Sequence, residues 1–328
     1  MRRLEASVLG IDTSAYTTSV ALVCGGRVIG EARRVLAVES GQRGLRPSEA
    51  VFRHLQNLPE LIEEAWAGEA LAAVAVAVAP RPQPASYLPS FRAGETVGRI
   101  LAKAQKVPLW LTSHQEGHLA AGVMEAGGPE AAWFWALHVS GGTTELLRVR
   151  PRPGGFAVQQ RGGTADLYAG QLVDRVGVAL GLPFPAGPAL EQLSLGARDR
   201  VILPVGAVRF REGQAWISFS GPEAAAQRAI ALGADPAAVA RGVEECVARG
   251  LVKLVEAGCD TPAPLLVVGG VAANGRVRRV LQERLGPEWP LYWASPARSR
   301  DNAVGVAGLG ADWLAAGGAV EPSGHGGP

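Results

Sequence analysis

The sequence predicts an α/β protein of two related lobes with a cleft between them. Residues 7–36 are typical of a β-meander, in which a strand, a small-residue loop, a second strand, a Gly-Gly turn and a third strand follow one another. Residues 131–150 repeat the order of strand, Gly-Gly turn and strand, and helices alternating with buried strands follow each segment. Such a repeat indicates two lobes of the same architecture, and a cleft between lobes is a common place for a ligand.

The first lobe is predicted to span residues 1–125. Helical periodicity over residues 49–66 places five apolar side chains on one face, namely Val51, Leu55, Leu58, Leu61 and Ile62. A buried strand, a helix and a short strand then follow in turn, at residues 71–80, 94–105 and 107–113. The next segment, LTSHQEGHLAAG, is predicted to open a helix with Thr112 or Ser113 as its N-cap.

The second lobe is predicted to span residues 126–294. It has three predicted helical segments and one unit of strand, Gly-Gly loop and helix, at residues 165–182, 183–194, 238–258 and 263–285. A C-terminal helix at about 295–316 is predicted to return to the first lobe, and the Gly- and Pro-rich tail 317–328 is predicted to fray.

Composition narrows the class of protein. The 328 residues are 48% hydrophobic and 19% charged, which suffices for a large core and excludes a disordered chain. The net charge of +2 is not that of a generally basic nucleic-acid-binding protein, but it allows a local basic patch. The candidates for such a patch are Arg276, Arg278, Arg279, Arg298 and Arg300, for which solvated helix faces are the alternative.

The three cysteines and the apolar runs indicate a cytoplasmic location. Cys24, Cys246 and Cys259 are widely spaced and form no CxxC pair, as expected of reduced cytosolic thiols. The chain starts without the apolar segment of a signal peptide. Its longest apolar run, residues 70–80, is too short to span a bilayer, so we expect no membrane association.

The histidine segment is a candidate metal site. His114 and His118 are four residues apart, so on a helix both side chains lie on one face and can bind one metal ion. Zinc metalloproteases carry HExxH, but here Gln115 stands where their glutamate would be, which argues against that class. Glu116 is rotated by about 200° from His114 and points elsewhere. Two polar residues on an exposed helix face remain the alternative.

Two glycine-containing loops are candidate nucleotide-binding sites. After the strand in residues 137–146 come Ser140, Gly141 and Gly142, whose N–H groups and hydroxyl can bind phosphate oxygens. A tight hairpin turn is the alternative interpretation. In residues 265–279 a buried strand ends in Gly-Gly before a helix, with Asn274 at the helix opening as either a ligand-binding residue or a cap.

Two acidic residues also stand at the ends of predicted elements. Asp12 ends the first strand, where it could organise a cation or water near phosphates or could cap a turn. Asp301 precedes the last helix, where it could act as an N-cap or as a third metal ligand beside two imidazoles.

In order and spacing, these motifs resemble the TsaD family, the tRNA N6-adenosine threonylcarbamoyltransferases once classed as O-sialoglycoprotein endopeptidases. The resemblance runs from about residue 7 to about residue 315 and comprises LGIDTS, HQEGHLAA, VSGGTTEL, GQLVDRVGVALGL, PAGPALEQL, SFSG, GGVAAN and RDNA. It implies the two-lobed fold shared by actin, Hsp70 and sugar kinases. It also implies transfer of a threonylcarbamoyl group from threonylcarbamoyl-AMP to N6 of adenosine 37 in ANN-decoding tRNAs.

The resemblance also implies roles for particular residues. The family's metal ligands, which bind iron or zinc, correspond to His114, His118 and Asp301, and His138 is a further candidate ligand. The family's nucleotide-contacting positions correspond to His138, Val139, Ser140, Gly141, Gly142, Asp174, Gly187, Glu191 and Asn274. The family also implies two protein partners, a smaller TsaB-like paralogue and a TsaE-like ATPase, together with tRNA.

Several loops depart from the family pattern. The first loop has Ala15, Tyr16 and Thr17 in place of a cysteine and two acids, and residues 79–90 replace a Gly-Pro-Gly segment. The other three departures are Thr143 for a histidine, Ala186 for a glycine and Glu223 where the family's FSGLKT motif continues toward its lysine. These departures leave open a divergent paralogue that binds nucleotide and metal without transferase activity. Kinase or hydrolase chemistry on the same fold is a third reading, supported by Asp12 alone.

Overall fold

The computed structural model describes residues 6–14, 16–37, 45–294 and 303–318. These residues divide into two compact units. Unit 1 holds the residues up to Met124, Pro151–Ala157 and residues 303–318, and unit 2 holds Glu125–Arg150 and residues 158–294. In the part of the chain that the structure describes, no helix is long and apolar enough to cross a membrane.

Unit 1 is built on a five-stranded sheet in the order β3-β2-β1-β4-β5. The strands are β1 (Ser7–Thr13), β2 (Thr17–Cys24), β3 (Arg27–Val35), β4 (Leu71–Ala79) and β5 (Leu109–Ser113). The first three form the predicted antiparallel meander, and β4 and β5 continue the sheet in parallel to β1. Its helices are α1 (Pro47–Ala65), α2 (Phe91–Gln105), α3 (His114–Ala126) and α9 (Ala303–Ala315).

Alternation along β1 divides its side chains between two helical layers. Leu9 and Ile11 belong to the core formed with α1 and α2, and Thr13 on the same face bonds to Ser90. Val8 and Gly10 face α9 instead. Asp12, next in this second series, therefore lies on the α9 face of the sheet.

The buried face of α1 differs from the predicted one. The buried residues are Ala50, His54, Leu58, Leu61 and Ala65, whereas the predicted Leu55 is 42% exposed and Val51 and Ile62 are half-buried. A face running 50, 54, 58, 61 and 65 keeps helical spacing, but it begins with small and polar residues that an apolar pattern passes over.

Unit 2 is built on a seven-stranded sheet in the order β12-β11-β6-β7-β8-β10-β9. Its strands are β6 (Phe134–Val139), β7 (Thr144–Arg152), β8 (Gly155–Thr164), β9 (Arg209–Arg211), β10 (Gln214–Ile217), β11 (Leu265–Val268) and β12 (Leu291–Trp293). Its helices are α4 (Ala169–Ala179), α5 (Gly187–Leu195), α6 (Ser220–Ala231), α7 (Pro236–Gly258) and α8 (Gly275–Leu285), and a short 3-10 helix covers Gly270–Ala273. The core centres on α7, which is buried along most of its length.

Candidate functional site

The helix that carries the two histidines starts with a capping box. Ser113 Oγ accepts a hydrogen bond from the N–H of Glu116 at 3.3 Å, and Glu116 Oε2 accepts one from the N–H of Ser113 at 3.1 Å. This reciprocal pair is the Ser-x-x-Glu arrangement that satisfies the first free N–H groups of a helix. Of the two predicted N-caps, Ser113 is therefore the cap, and Thr112 instead donates its hydroxyl to Glu116.

Glu116 is a structural carboxylate. Its side chain is 1% exposed. Besides the bonds from Thr112 and Ser113, Oε1 accepts from Arg152 Nη2 and from the N–H of Phe156, both at 3.1 Å. Since both oxygens are engaged within unit 1, Glu116 is directed away from a metal or a reacting water, as its helical position predicts.

The two histidines lie side by side on α3. Their ring centroids are 4.7 Å apart with a 74° angle between the planes, and the ring of Phe91 contacts His114 edge-on at 5.8 Å. His114 Nδ1 lies 2.9 Å from Oδ2 of the buried Asp12. The structure thus places Asp12 against a histidine of unit 1.

The donor set fits part of a metal site. Two neighbouring imidazoles on one helix face are suited to iron or zinc. Among the described residues, no three His, Cys, Asp or Glu side chains converge as a metal would require. The predicted third ligand, Asp301, lies outside the described residues, and His138 lies in unit 2 on β6.

Close packing fixes α9 against both β1 and α3. A Cβ on Gly10 would lie 2.3 Å from the carbonyl oxygen of Ala303, and a Cβ on Gly305 would lie 1.9 Å from that of Gly117. Neither position can hold a larger residue without moving a backbone. The first turn of α9 is thereby held beside the strand of Asp12 and the helix of His114 and His118.

The predicted nucleotide-binding loop is the turn between β6 and β7. The N–H of Ser140 donates to the carbonyl oxygen of Thr143 at 2.7 Å, and the N–H of Gly142 donates to Ser140 Oγ at 3.2 Å. These are the bonds of a tight hairpin turn, the alternative role that the sequence left open. The position where a Cβ would stand on Gly142 has no heavy atom within 4 Å, so a ligand could approach the backbone there.

Asp174 on α4 links this turn to the start of α5. Its Oδ2 lies 3.8 Å from the Cβ position of Gly141, and its Oδ1 accepts from the N–H of Ala186 at 2.8 Å. Burial raises the pKa of the Asp174 carboxyl, and the bond from Ala186 offsets only part of that shift. Gly187 follows Ala186 directly as the first residue of α5.

Glu191 and Asn274 meet at the start of α8. Glu191 Oε1 accepts from the N–H of Gly275 at 2.8 Å, and Asn274 Oδ1 accepts from the N–H of Val277 at 3.0 Å. Asn274 is therefore the N-cap of α8. Its amide also donates to Oε1 of Glu244 at 2.6 Å, and Glu244 is a buried residue of α7.

The predicted nucleotide-contacting residues are therefore brought together in unit 2. The chain of contacts runs from the turn at Ser140–Gly142 through Asp174, Gly187 and Glu191 to Asn274. Asn274 is also connected to the β6 strand that precedes the turn. Val268 at the end of β11 pairs with His138 of β6, and Gly269 and the short 3-10 helix lead from Val268 to Asn274. Residues distant in sequence thus form one continuous polar rim.

Two of the five arginines named for a basic patch are half-buried and make contacts within unit 2. Arg276 pairs with the buried Glu244 at 3.3 Å. Arg278 donates to the carbonyl oxygens of Ala272 and Ala294, and its guanidinium lies 5.1 Å from the ring centre of Trp293. Both side chains thus support unit 2 from within. Arg279 is exposed, and Arg298 and Arg300 lie outside the described residues.

Two polar residues at these sites carried no motif in the sequence. Glu244 lies in an apolar helix beneath Asn274, and burial raises its pKa. His54 is fully buried in α1, and its Nδ1 lies 2.8 Å from the hydroxyl of Thr18 in the strand after the Asp12 loop. A charged or imidazole side chain among the apolar residues of a helix was the available signal for both.

A third polar group is the carboxylate of Asp166, which organises the SFSG segment. It accepts hydrogen bonds from the hydroxyls of Ser218 and Ser220 and from the N–H of Phe219. Burial alone would raise the pKa of Asp166, but these bonds and one from the N–H of Leu167 outweigh it and lower the pKa to about 2. Asp166 therefore fixes the start of α6.

Comparison with known sequences gives one consistent family. The model for "TsaD: tRNA N6-adenosine threonylcarbamoyltransferase" matches residues 29–307. The tRNA N6-adenosine threonylcarbamoyltransferase of Thermus thermophilus is 36% identical over 310 residues, which cover 92% of this chain and 90% of that protein. The enzyme of the same name from Carboxydothermus hydrogenoformans is 33% identical over 322 residues, covering 92% and 91%.

Comparison with solved structures supports the predicted fold class. Component A of the (R)-2-hydroxyglutaryl-CoA dehydratase of Acidaminococcus fermentans matches with a TM-score of 0.57 at 18% identity, covering 95% of this chain and 99% of that one. A ROK family glucokinase from Streptomyces griseus matches with a TM-score of 0.51 at 15% identity, covering 93% and 99%. At these identities the likeness concerns the fold alone, and the α/β fold of the actin and sugar-kinase type is confirmed.

Proposed function

Because the chain belongs to the TsaD family, we propose that it transfers a threonylcarbamoyl group to N6 of adenosine 37 in ANN-decoding tRNAs. The donor is threonylcarbamoyl-AMP. The observation that carries the proposal is the continuous polar rim of unit 2, formed by the turn at Ser140–Gly142 with Asp174, Gly187, Glu191 and Asn274. These five segments lie on four parts of unit 2: the turn after β6, α4, α5, which carries both Gly187 and Glu191, and the N-cap of α8. Hydrogen bonds link Asp174 to Ala186 at the start of α5 and Glu191 to Gly275 at the start of α8.

The rim offers what an adenylate needs. Open backbone at Gly142 and the hydroxyl of Ser140 suit phosphate oxygens. The carboxylates of Asp174 and Glu191 are acceptors suited to ribose hydroxyls. Since Ala186 and Gly275 already hold one oxygen of each carboxylate, the rim is preorganised before the donor arrives.

In the proposed reaction, N6 of the adenine base attacks the carbamoyl carbon, AMP leaves and N6 loses a proton. An aromatic amine is a weak nucleophile, so the carbonyl must be activated. We assign a divalent metal, iron or zinc, to His114, His118 and Asp301, and when bound it supplies a Lewis acid that polarises this carbonyl. The role of the chain is to hold donor and acceptor in register.

The position of α9 supports Asp301 as the third ligand. Asp301 is joined through one residue to Ala303, whose carbonyl oxygen is packed against Gly10 two residues before Asp12. Two residues of chain reach at most about 7 Å. The start of α9 is therefore within chain reach of the strand end where His114 contacts Asp12.

The TsaB-like paralogue, the TsaE-like ATPase and tRNA are the proposed partners. A second candidate function is a divergent paralogue that binds nucleotide and metal without transfer. Glu223 favours it, because this acid stands in the first turn of α6 where the family motif leads to a lysine, and it accepts a bond from Gln227.

Complementation of a bacterial strain that lacks its own TsaD decides between these functions. We expect the chain to restore N6-threonylcarbamoyladenosine in bulk tRNA, measured by mass spectrometry of nucleosides, and Asn274→Ala to fail. Glu63→Gln, at an exposed position of α1, is the matched control and should complement. If the wild type restores no modified nucleoside but the purified protein binds AMP and zinc, the paralogue function replaces the transferase.

A further inference from the structure

The carboxylate of Asp12 fixes one side of the first histidine ring. Asp12 is 1% exposed, and its Oδ2 lies 2.9 Å from Nδ1 of His114. A carboxylate can only accept a hydrogen bond, so Nδ1 of His114 carries the proton in this pair. In a neutral imidazole the lone pair is then on Nε2.

Asp12 does not act as a third ligand beside the two imidazoles. Its carboxylate contacts Nδ1 of His114 and not Nε2. The described residues also contain no cluster of three metal-binding side chains. Its second oxygen, Oδ1, is buried and accepts no hydrogen bond from the described residues. Among the described residues, His114 is therefore the only hydrogen-bond partner of this carboxylate.

We propose that Asp12 is a positioning residue that selects the His114 tautomer with its lone pair on Nε2 and holds the ring for metal binding. The inference rests on the proposed metal site, and it adds to that site a residue of strand β1. Carboxylates that accept from metal-binding histidines fix the tautomer and raise ligand basicity. The ring of Phe91 also contacts this imidazole edge-on.

The first test measures the tautomer in metal-free protein. In the wild type labelled with ¹⁵N-histidine, at a pH where imidazole is neutral, His114 should show a protonated Nδ1. The His114→Gln variant assigns its signals among the five histidines. In Asp12→Asn the amide can donate as well as accept, so the signal should become mixed or shift to protonated Nε2. A wild-type His114 protonated on Nε2 would overturn the inference, whether or not the protein binds metal.

The second test measures zinc binding by calorimetry. Asp12→Asn should weaken zinc affinity by about 10- to 100-fold, as loss of such a partner does at other sites. Thr13→Val is the matched control, because it removes the buried hydrogen bonds of the neighbouring residue to Ser90 and Gly94 without touching His114. It should leave zinc affinity unchanged.

The two measurements separate the inference from the proposed site. If Asp12→Asn and Thr13→Val weaken zinc binding equally, Asp12 serves the fold and not His114, and the inference fails. If the wild type binds no zinc or iron(II), the proposed metal site fails, while the tautomer of His114 still decides what Asp12 does.

Discussion

At the scale of single residues, neighbouring positions of one motif have opposite tasks. In HQEGH the two histidines face one another across a helical turn, whereas Glu116 is buried among donors from Thr112, Ser113, Arg152 and Phe156. The spacing predicted this division, because i and i+4 share a helix face and i+2 does not. It did not predict Arg152 or Phe156, since no local pattern brings residues about forty positions away onto a carboxylate.

Replacing Glu116 by Gln should destabilise the protein without removing a metal ligand. The amide offers one acceptor in place of two, leaves Arg152 without its counter-charge and places a donor against the N–H of Phe156 or Ser113. We expect a loss of about 2–3 kcal/mol in the free energy of unfolding, as for a lost hydrogen bond to a charged group. Urea denaturation followed by tryptophan fluorescence measures it.

The control for this prediction is Glu63→Gln, the same change at an exposed position. It should alter the free energy of unfolding by less than about 0.5 kcal/mol. Equal stability of the two variants would mean that the bonds of Glu116 contribute nothing net.

At the scale of elements, the close packing of α9 against α3 positions the helix that carries His114 and His118. Its Gly305 lies directly on the backbone of Gly117, the residue before His118. Glycine here allows the backbones of the two helices to meet directly. The sequence shows the glycines of VGVAGLG but cannot show what lies against them.

Gly305→Ala should therefore separate α9 from α3. Its Cβ would stand 1.9 Å from the carbonyl oxygen of Gly117, a contact that only a backbone shift can relieve. Overpacking of this kind costs about 1–3 kcal/mol, measured as a lower midpoint of thermal or urea unfolding. Zinc affinity should fall with it if α3 is displaced.

Gly221→Ala is the matched control, because it places the same methyl on another helix where no heavy atom lies within 4 Å. It should be neutral or stabilise by up to about 1 kcal/mol, since alanine favours a helix over glycine. If both variants lose stability equally, close packing at Gly305 is not the cause.

Elements differed in how well the sequence predicted them. The β-meander, β4, α7 and the strand before the Gly-Gly loop were predicted, because each has a long apolar pattern bounded by turn residues. No strand or helix was predicted for β9, β10 or α6. The two strands have only three and four residues, and α6 is an alanine-rich helix with few large apolar side chains. None of the three therefore shows a clear hydrophobic periodicity.

At the scale of the whole molecule, motif order identified the fold better than any single motif did. Eight short segments in sequence predicted an α/β fold of the actin and sugar-kinase type, and the rim of unit 2 gathers the nucleotide-contacting positions that the resemblance implied. The pairing of Asp12 with His114 could not be predicted, because it depends on which face of β1 meets which helix. The contacts of Arg276 with the buried Glu244 and of Arg278 with the half-buried Trp293 could not be predicted for the same reason.

The cysteines of unit 2 should report the integrity of its core. Burial raises the pKa of Cys246 to about 12, burial and the neighbouring Asp260 raise the pKa of the half-buried Cys259, and the thiolate is the reactive form. Iodoacetamide at mildly alkaline pH should therefore modify both at least about a hundredfold more slowly in native protein than in urea-unfolded protein. Peptide mass spectrometry over time measures each site, and equal rates in the two states would contradict the raised pKa values of both thiols.

The segment Pro151–Ala157 has a consequence for how the protein is made. It belongs to unit 1, where Trp110 donates to the carbonyl oxygen of Gly154 and Glu116 binds Arg152, and α9 joins the same unit only after all of unit 2 in the chain. On a ribosome, unit 2 is complete while the sheet of unit 1 still lacks the helix that covers β1. The face bearing Asp12 is thus the last surface to be enclosed, and the histidine pair acquires its final surroundings only when synthesis has passed Ala315.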